Sequence, residues 1–142
     1  MGTDGPGILQ GSLQMDLEGA ITHICGVDYD SYFDKKFDPS TNILTRKIFE
    51  KHLDEILDHI KIYEGSLIWG ELRLAYQVIG YFVLLSGAKI SSNLKEKLLV
   101  ATDFTHERHL WPDFWKEERK SILEEFREKI ANHKPGKMQY FA

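Results

Sequence analysis

The side chains of this sequence best suited to chemistry lie in one short segment, Asp103 to His109 (DFTHERH). Imidazole and carboxylate groups are the ligands that zinc and other catalytic metals use in proteins. On a helix, residues three or four positions apart share a face, which groups Asp103 with His106 and Glu107, and His106 with His109. The segment therefore raises the hypothesis of a metal-dependent enzyme that uses Asp103, His106 and His109.

The spacing of the two histidines differs from that of the zinc-protease motif, in which both lie on one helix at positions i and i+4. Here His106 and His109 are three residues apart, and position 110 is Leu110. Such a pair binds a metal only with further ligands from elsewhere in the chain. The alternative is a charged, solvated turn before Trp111. We favour that turn, and we expect no metal and no other cofactor.

No other catalytic grouping stands out. Neither a Ser-His-Asp nor a Cys-His pairing can be identified from the sequence, so we expect the protein not to be an enzyme. Cys25 is the single cysteine and excludes an internal disulfide. A chain without disulfides fits a reducing compartment, and we expect a cytoplasmic location.

A second segment, Gly26 to Ser40 (GVDYDSYFDKKFDPS), alternates acidic and aromatic residues. It differs from a calcium-binding loop, because Phe33 replaces the glycine of the sharp turn and Pro39 replaces the final glutamate. We predict a loop over Asp28 to Asp38. Tyr and Phe contribute much of the energy of protein interfaces, and aspartates attract a basic partner. The candidate partner-binding residues are Asp28, Tyr29, Asp30, Tyr32, Phe33 and Asp34. The alternative is that the aromatic rings only seal the gap between the first two helices.

The elements that position these segments follow from hydrophobic periodicity. Ser66 to Gly87 is apolar on nearly every side at helical spacing, which predicts a central helix that its neighbours must cover. We predict an all-α, compact bundle of about five helices in one domain, residues 1–142, with a Gly-rich leader (1–11) and a tail (134–142). The predicted helices are Ser12 to about Cys25, Ser40 or Thr41 to about Tyr63, Ser66 to Gly87, a helix that opens at 91–93, and a last helix that starts at Asp113 or at the Trp111-Pro112 step and runs to about Asn132.

The net charge of the chain and the length of its longest charge-free run indicate which kinds of partner to expect. The net charge of −4 argues against nucleic acid, which requires a clustered positive face. The charge-free run Leu74 to Ser86 is shorter than the roughly 20 residues that span a bilayer, so we expect no membrane insertion. The expected partner is another protein with a basic surface, and a homodimer with a structural role is a further option.

The leader MGTDGPGIL resembles the opening of a widespread bacterial family of unknown function, Met-Gly-Thr/Ala-Trp-Gly-x-Gly-Ile/Pro-Phe/Leu. Asp4 stands where the family has Trp. The middle helix of the family looks like Leu72 to Leu85, and its closing Trp-containing segment resembles Leu110 to Ile130. Some small acidic proteins of this kind are encoded near toxins and are suspected immunity proteins. The matching leader residues are Met1, Gly2, Thr3, Gly5, Gly7, Ile8 and Leu9.

These observations favour a non-enzymatic bacterial binding protein, with an immunity-type inhibitor of a toxin as its more specific form. The resemblance implies no catalytic residue. The alternative function is the metal-dependent enzyme built on Asp103, His106 and His109.

Overall fold

The computed structural model describes residues 5–65 and 70–141, and this part of the chain contains helices and no β-strand. The predicted all-α class is confirmed. There are six α-helices in the described residues rather than about five, because the segment predicted as a loop contains one of them. None of the described helices is long and apolar enough to cross a membrane. The helices are α1 (Ser12–Ile24), α2 (Tyr29–Lys35), α3 (Arg46–His59), α4 (Glu71–Ser86), α5 (Ser92–Ala101) and α6 (Asp113–Ala131).

Helix α4 is the central helix, as its apolar circumference predicts. All residues from Gln77 to Ser86 are buried, and α4 contacts α1, α3, α5 and α6. The helix ends at Gly87, which has a left-handed φ of 72° and donates its amide hydrogen to the Val83 carbonyl. The helix begins at Glu71, after Gly70 with its left-handed φ of 86°, which is later than the predicted start at Ser66; residues 66–69 lie outside the described residues.

Helix α3 starts later in the chain than the sequence predicts, because a different residue caps it. Thr45 is its N-cap and accepts a hydrogen bond from the Ile48 amide, whereas Ser40 or Thr41 was the predicted cap. Residues 39–41 instead form a 3₁₀ turn that Asp38 caps. Helix α3 ends at His59 and continues as a second 3₁₀ turn to Tyr63, so the predicted end is close to the observed one.

The other helix ends agree with the predicted ones within one or two residues. Gly11, not Ser12, is the N-cap of α1. The Ser91 hydroxyl accepts from the Leu94 amide at 3.1 Å and caps α5, so this helix opens within the predicted residues 91–93. Helix α6 begins at Asp113 and is capped by Asn132, as predicted.

The Gly-rich leader is part of the core in its described portion. Residues 5–9 are buried, and Ile8 is completely inaccessible to solvent, so Ile8 and Leu9 pack inward. Arg119 on α6 donates to the carbonyl oxygens of Pro6 and Gly7, at 3.1 and 3.5 Å. The leader is therefore held against α6 by backbone acceptors that any residue type would supply.

The C-terminal tail also packs onto the helices. The Gln139 amide donates to the Leu84 carbonyl at 2.8 Å, which holds the tail along the end of α4. The Tyr140 ring packs against Phe37, and the Phe141 ring stacks on Phe126 with centroids 5.1 Å apart. These contacts connect the end of the chain to the α2 region.

Candidate functional site

Helix α2 occupies the segment that the sequence predicts as a loop. Asp28 is the N-cap of this helix, because its carboxylate accepts hydrogen bonds from the Ser31 amide at 3.0 Å and from the Ser31 hydroxyl at 2.8 Å. Asp38 accepts the equivalent pair of bonds from Ser40 after the helix ends. These hydrogen bonds lower the pKa of both carboxyl groups, so both are ionised at neutral pH. Asp28 thus caps α2, Asp38 caps the 3₁₀ turn that follows, and both also supply negative charge.

An exposed row of aromatic rings runs along α2 and the turn after it. We call Tyr29, Phe33 and Phe37 the aromatic stripe; they are 37%, 41% and 55% exposed. Tyr29 and Phe33 are i, i+4 neighbours on α2, with ring centroids 5.9 Å apart, and Phe37 in the turn after the helix continues the row, with its centroid 5.7 Å from that of Phe33. Tyr29 and Phe33 belong to the predicted surface, and Phe37 is an addition to it.

Tyr32 has to be removed from the predicted contact residues, because it is completely buried. Its hydroxyl lies 2.5 Å from Oε2 of Glu18, to which it donates, and 2.8 Å from the Tyr81 hydroxyl. Burial is the main cause that raises the pKa of Tyr32, with further contributions from Tyr81 and Glu18, so the hydroxyl keeps its proton. Tyr32 faces the core because it lies one residue away from the exposed stripe on a helix.

Lys36 is buried directly beneath the aromatic stripe. Its ammonium group lies 2.7 Å from Oε2 of Glu18, and its side chain is shielded from solvent. The same nitrogen lies 4.2 Å from the centroid of Phe33 and 5.4 Å from that of Phe37. A cation in this position attracts the negative faces of both rings. The ion pair therefore anchors α2 to α1 and supports the stripe from below.

Carboxylates border the stripe. Asp28, Asp30, Asp34 and Asp38 are all exposed, while Lys35 is the exposed cation within residues 28–38. Lys36 does not offset this charge at the surface, because Glu18 neutralises it in the core. The local field is therefore negative. We call the aromatic stripe and these four aspartates the α2 surface.

Tyr140 from the tail extends the α2 surface. Its ring centroid lies 5.2 Å from that of Phe37 and 6.1 Å from that of Tyr81, and the residue is partly exposed. No local pattern could have linked it to α2, because the contact joins distant parts of the chain.

The segment Asp103 to His109 does not form the helical face that the metal hypothesis assumes. It consists of two short 3₁₀ turns, and Asp103 caps the first by accepting from the Thr105 amide at 3.0 Å. Nε2 of His106 lies 4.0 Å from a carboxylate oxygen of Asp103, both side chains are about half exposed, and His109 is exposed in the second turn. Across residues 5–65 and 70–141, no group of three or more His, Cys, Asp or Glu side chains is placed to hold a metal ion.

Glu107, in the middle of this segment, points into the core. Its Oε1 accepts from Arg119 at 2.5 Å and from the Trp111 indole at 2.9 Å, and its Oε2 accepts from Arg73 and from the Gln77 amide. Burial alone would raise the pKa of Glu107, but the two arginines and Gln77 outweigh burial and hold it below its ordinary value. Glu107 is therefore a structural anion whose acceptor sites are used within the protein.

Comparison of the chain with protein-family models, with curated proteins and with solved structures gives no match. The resemblance of the leader to a bacterial family thus stays an expectation from the sequence. In the structure, the described part of that leader, residues 5–9, contributes to packing rather than to an exposed site.

Proposed function

We propose that this chain is a non-enzymatic, cytoplasmic bacterial binding protein, and that its α2 surface contacts a basic protein. One observation carries the proposal: Tyr29, Phe33 and Phe37 form a continuous row of exposed rings. Aromatic side chains at helical spacing normally face a core, and grouped exposed ones are typical of interaction sites. The metal-dependent alternative has weaker support, because Asp103, His106 and His109 lie in two short 3₁₀ turns rather than on one helical face, and Asp103 caps the first turn.

The support beneath the stripe favours binding with a small loss of conformational entropy. Lys36 and Glu18 form a buried ion pair under Phe33 and Phe37. Tyr32 and Tyr81 complete this layer by hydrogen bonds to Glu18 and to each other. Rings that are held in place before binding lose little freedom when the partner arrives, so more of the contact energy appears as affinity.

The charge around the stripe defines the chemistry of the partner. Four exposed aspartates alternate with the rings along residues 28–38, and Lys35 is the exposed cation among them. A partner with an apolar centre and a rim of Lys and Arg would match this arrangement, and the opposite charges would accelerate its encounter. A toxin with a basic active surface has these properties. The chain would then act as an immunity-type inhibitor, which agrees with the resemblance of its leader.

The first part of the test examines the negative charges of the α2 surface. Asp28, Asp30 and Asp34 are replaced with Asn. Asn caps helices as well as Asp does, so α2 is expected to stay folded. The partner is first isolated from the native host by its binding to the wild-type chain, and association rates are then measured at two salt concentrations. We expect a slower association and a weaker salt dependence for the variant. The matched control makes the same change of charge on the exposed face of α3: Asp54→Asn, Glu55→Gln and Asp58→Asn.

The aromatic arm of the test replaces Phe37 with Ala. We expect faster dissociation, with a loss of binding free energy of about 2 kcal/mol if Phe37 is a central contact. Ile62→Ala is the matched control, since Ile62 is 66% exposed and belongs to the 3₁₀ turn after α3 rather than to the α2 surface. Association and dissociation rates that stay at wild-type values in both folded variants would remove the α2 surface from the interface.

A further inference from the structure

A groove of about 620 Å³ lies where the first two turns of α4 meet α5. Its apolar surface is formed by Leu72 and Tyr76 from α4 and by Val100 and Ala101 from α5. Val100 is 56% exposed, so this apolar surface is open to solvent. Concave apolar surfaces of this volume are typical of sites for small organic molecules.

A smaller cavity of about 150 Å³ continues the groove towards the end of α3. The two share four lining residues: Glu64, Tyr76, Asn93 and Lys97. Leu57, Ile60 and Leu94 add further apolar surface to the smaller cavity. The two volumes therefore join at Tyr76, and this shape favours a ligand with an apolar chain.

Arg73 is the least exposed charged residue that lines the groove. Its side chain is 12% exposed, and its guanidinium packs against Gly70, where a Cβ atom would collide with Nη2. The other charged lining residues are exposed and of both signs: Glu64, Glu96, Lys97 and His106. Water weakens the interactions of exposed charges, so Arg73 contributes most to the recognition of a charged ligand.

The network behind the groove contains one more cation than anion. Glu107 pairs with both Arg73 and Arg119, and Glu107 and Arg119 are completely buried. Arg119 also donates to the Pro6 carbonyl and to Oε1 of Gln77. The guanidinium of Arg73 has five N–H donors, and within the described residues it forms one hydrogen bond, to Glu107.

The environment of Arg73 disfavours its charged form. Burial lowers the pKa of Arg73, Glu107 opposes this effect, and repulsion from Arg119 adds to it. The cation thus has less counter-charge than its loss of hydration requires. An anion in the groove would supply that counter-charge.

We infer that this groove binds a small organic acid, with the carboxylate on Arg73 and the apolar chain along Tyr76 and Val100. A carboxylate can accept two parallel N–H bonds from one guanidinium, and such charge-assisted pairs are strong and directional. The chain of the acid would leave water for the apolar surface of the groove. The site is separate from the α2 surface and does not depend on the function proposed for it.

The test follows NMR signals while hexanoate is added at neutral pH and constant ionic strength. The signals are the backbone amides of Val100 and Ala101 and the side-chain Nε–H of Arg73. We expect a saturable shift with a Kd of about 1 mM or lower. Hexanamide carries the same chain without the charge, and we expect it to bind roughly tenfold more weakly or worse.

Val100→Glu tests the location of the site without a change in the buried network. The new carboxylate should repel hexanoate and weaken its binding roughly tenfold or more. Met15→Glu is the matched control, because Met15 is 51% exposed on α1 and does not line the groove. Its affinity for hexanoate should equal that of the wild type. Arg73→Gln should abolish the saturable shift in protein whose circular dichroism spectrum is that of the wild type.

Three results would overturn the inference. The first is the absence of a saturable shift in the folded wild-type protein. The second is an equal affinity for hexanoate and hexanamide, which would remove Arg73 from recognition. The third is an equal affinity of Val100→Glu and Met15→Glu for hexanoate, which would place the bound acid outside this groove.

Discussion

The ammonium group of Lys36 lies 2.7 Å from the carboxylate of Glu18, and both side chains are almost completely buried. This ion pair joins α2 to α1. Tyr32 donates to the same carboxylate oxygen, so the anion has two donors in the core. The α2 surface thus depends on a charged layer that solvent does not reach.

Glu18→Gln should lower the free energy of unfolding by about 3–5 kcal/mol, because it leaves the Lys36 cation buried without its counter-charge. The double variant Glu18→Gln with Lys36→Met should recover a large part of this loss, since no buried charge remains. Urea denaturation of the wild type and both variants measures these differences.

The control for this prediction is an exposed ion pair. Lys61 lies 3.2 Å from Asp58 on the surface, and Lys61→Gln should cost less than about 1 kcal/mol. A loss for Glu18→Gln as small as the loss for Lys61→Gln would contradict the structural role assigned to the buried pair.

Gly80→Leu should destabilise the protein through overpacking between α4 and α6. A Cβ atom at Gly80 would lie 3.1 Å from Cζ of Phe126 and 3.2 Å from Cδ1 of Ile130. Extra volume in a packed core typically costs about 1–3 kcal/mol, and thermal or urea unfolding would measure the loss. Gly19→Leu is the control, because a Cβ at Gly19 meets nothing within 4 Å. Equal stability of the two variants would show that α6 does not press on Gly80.

Stability should fall in acid partly through Glu107. Its pKa in the folded protein is held below the ordinary value of 4.5, so between these two values the unfolded chain binds more protons than the folded one. The contribution is fully present above about pH 4.5 and is lost as the pH falls through the folded value. Unfolding measured between neutral pH and pH 3 should show this decline.

Glu107→Gln isolates that contribution. The variant should be less stable than the wild type at pH 7, because Arg119 would be buried without its anion. Its stability should then depend less steeply on pH below 4.5. A slope that matches the wild-type slope would assign the acid sensitivity to other carboxyl groups.

Protein purified without a chelator should contain no stoichiometric zinc, iron or calcium. The reason is the geometry of the segment Asp103 to His109, in which Glu107 turns inward and Asp103 caps a turn. Elemental analysis by mass spectrometry measures the metal content. About one metal per chain, lost in His106→Ala or His109→Ala, would instead support the metal-dependent enzyme.

The contact residues of the α2 surface could be predicted from the sequence only in part. Its composition identified Tyr29 and Phe33 as candidate contacts, and both are exposed. Composition alone could not show that Tyr32 is buried while Tyr29 and Phe33 are exposed. The difference arises because these residues lie on different faces of helix α2. A helix of seven residues has too little periodicity to be recognised locally.

The all-α class and the approximate extents of α1, α4 and α6 could be predicted because apolar periodicity and end signals are local properties of the chain. Only the tertiary structure decided that Lys36 and Glu107 point inward and that Tyr140 lies beside Phe37. A charged side chain becomes buried only where distant partners, here Glu18 for Lys36 and Arg119 for Glu107, compensate its loss of hydration. Such partners are set by how the helices pack, which no local spacing in the sequence records.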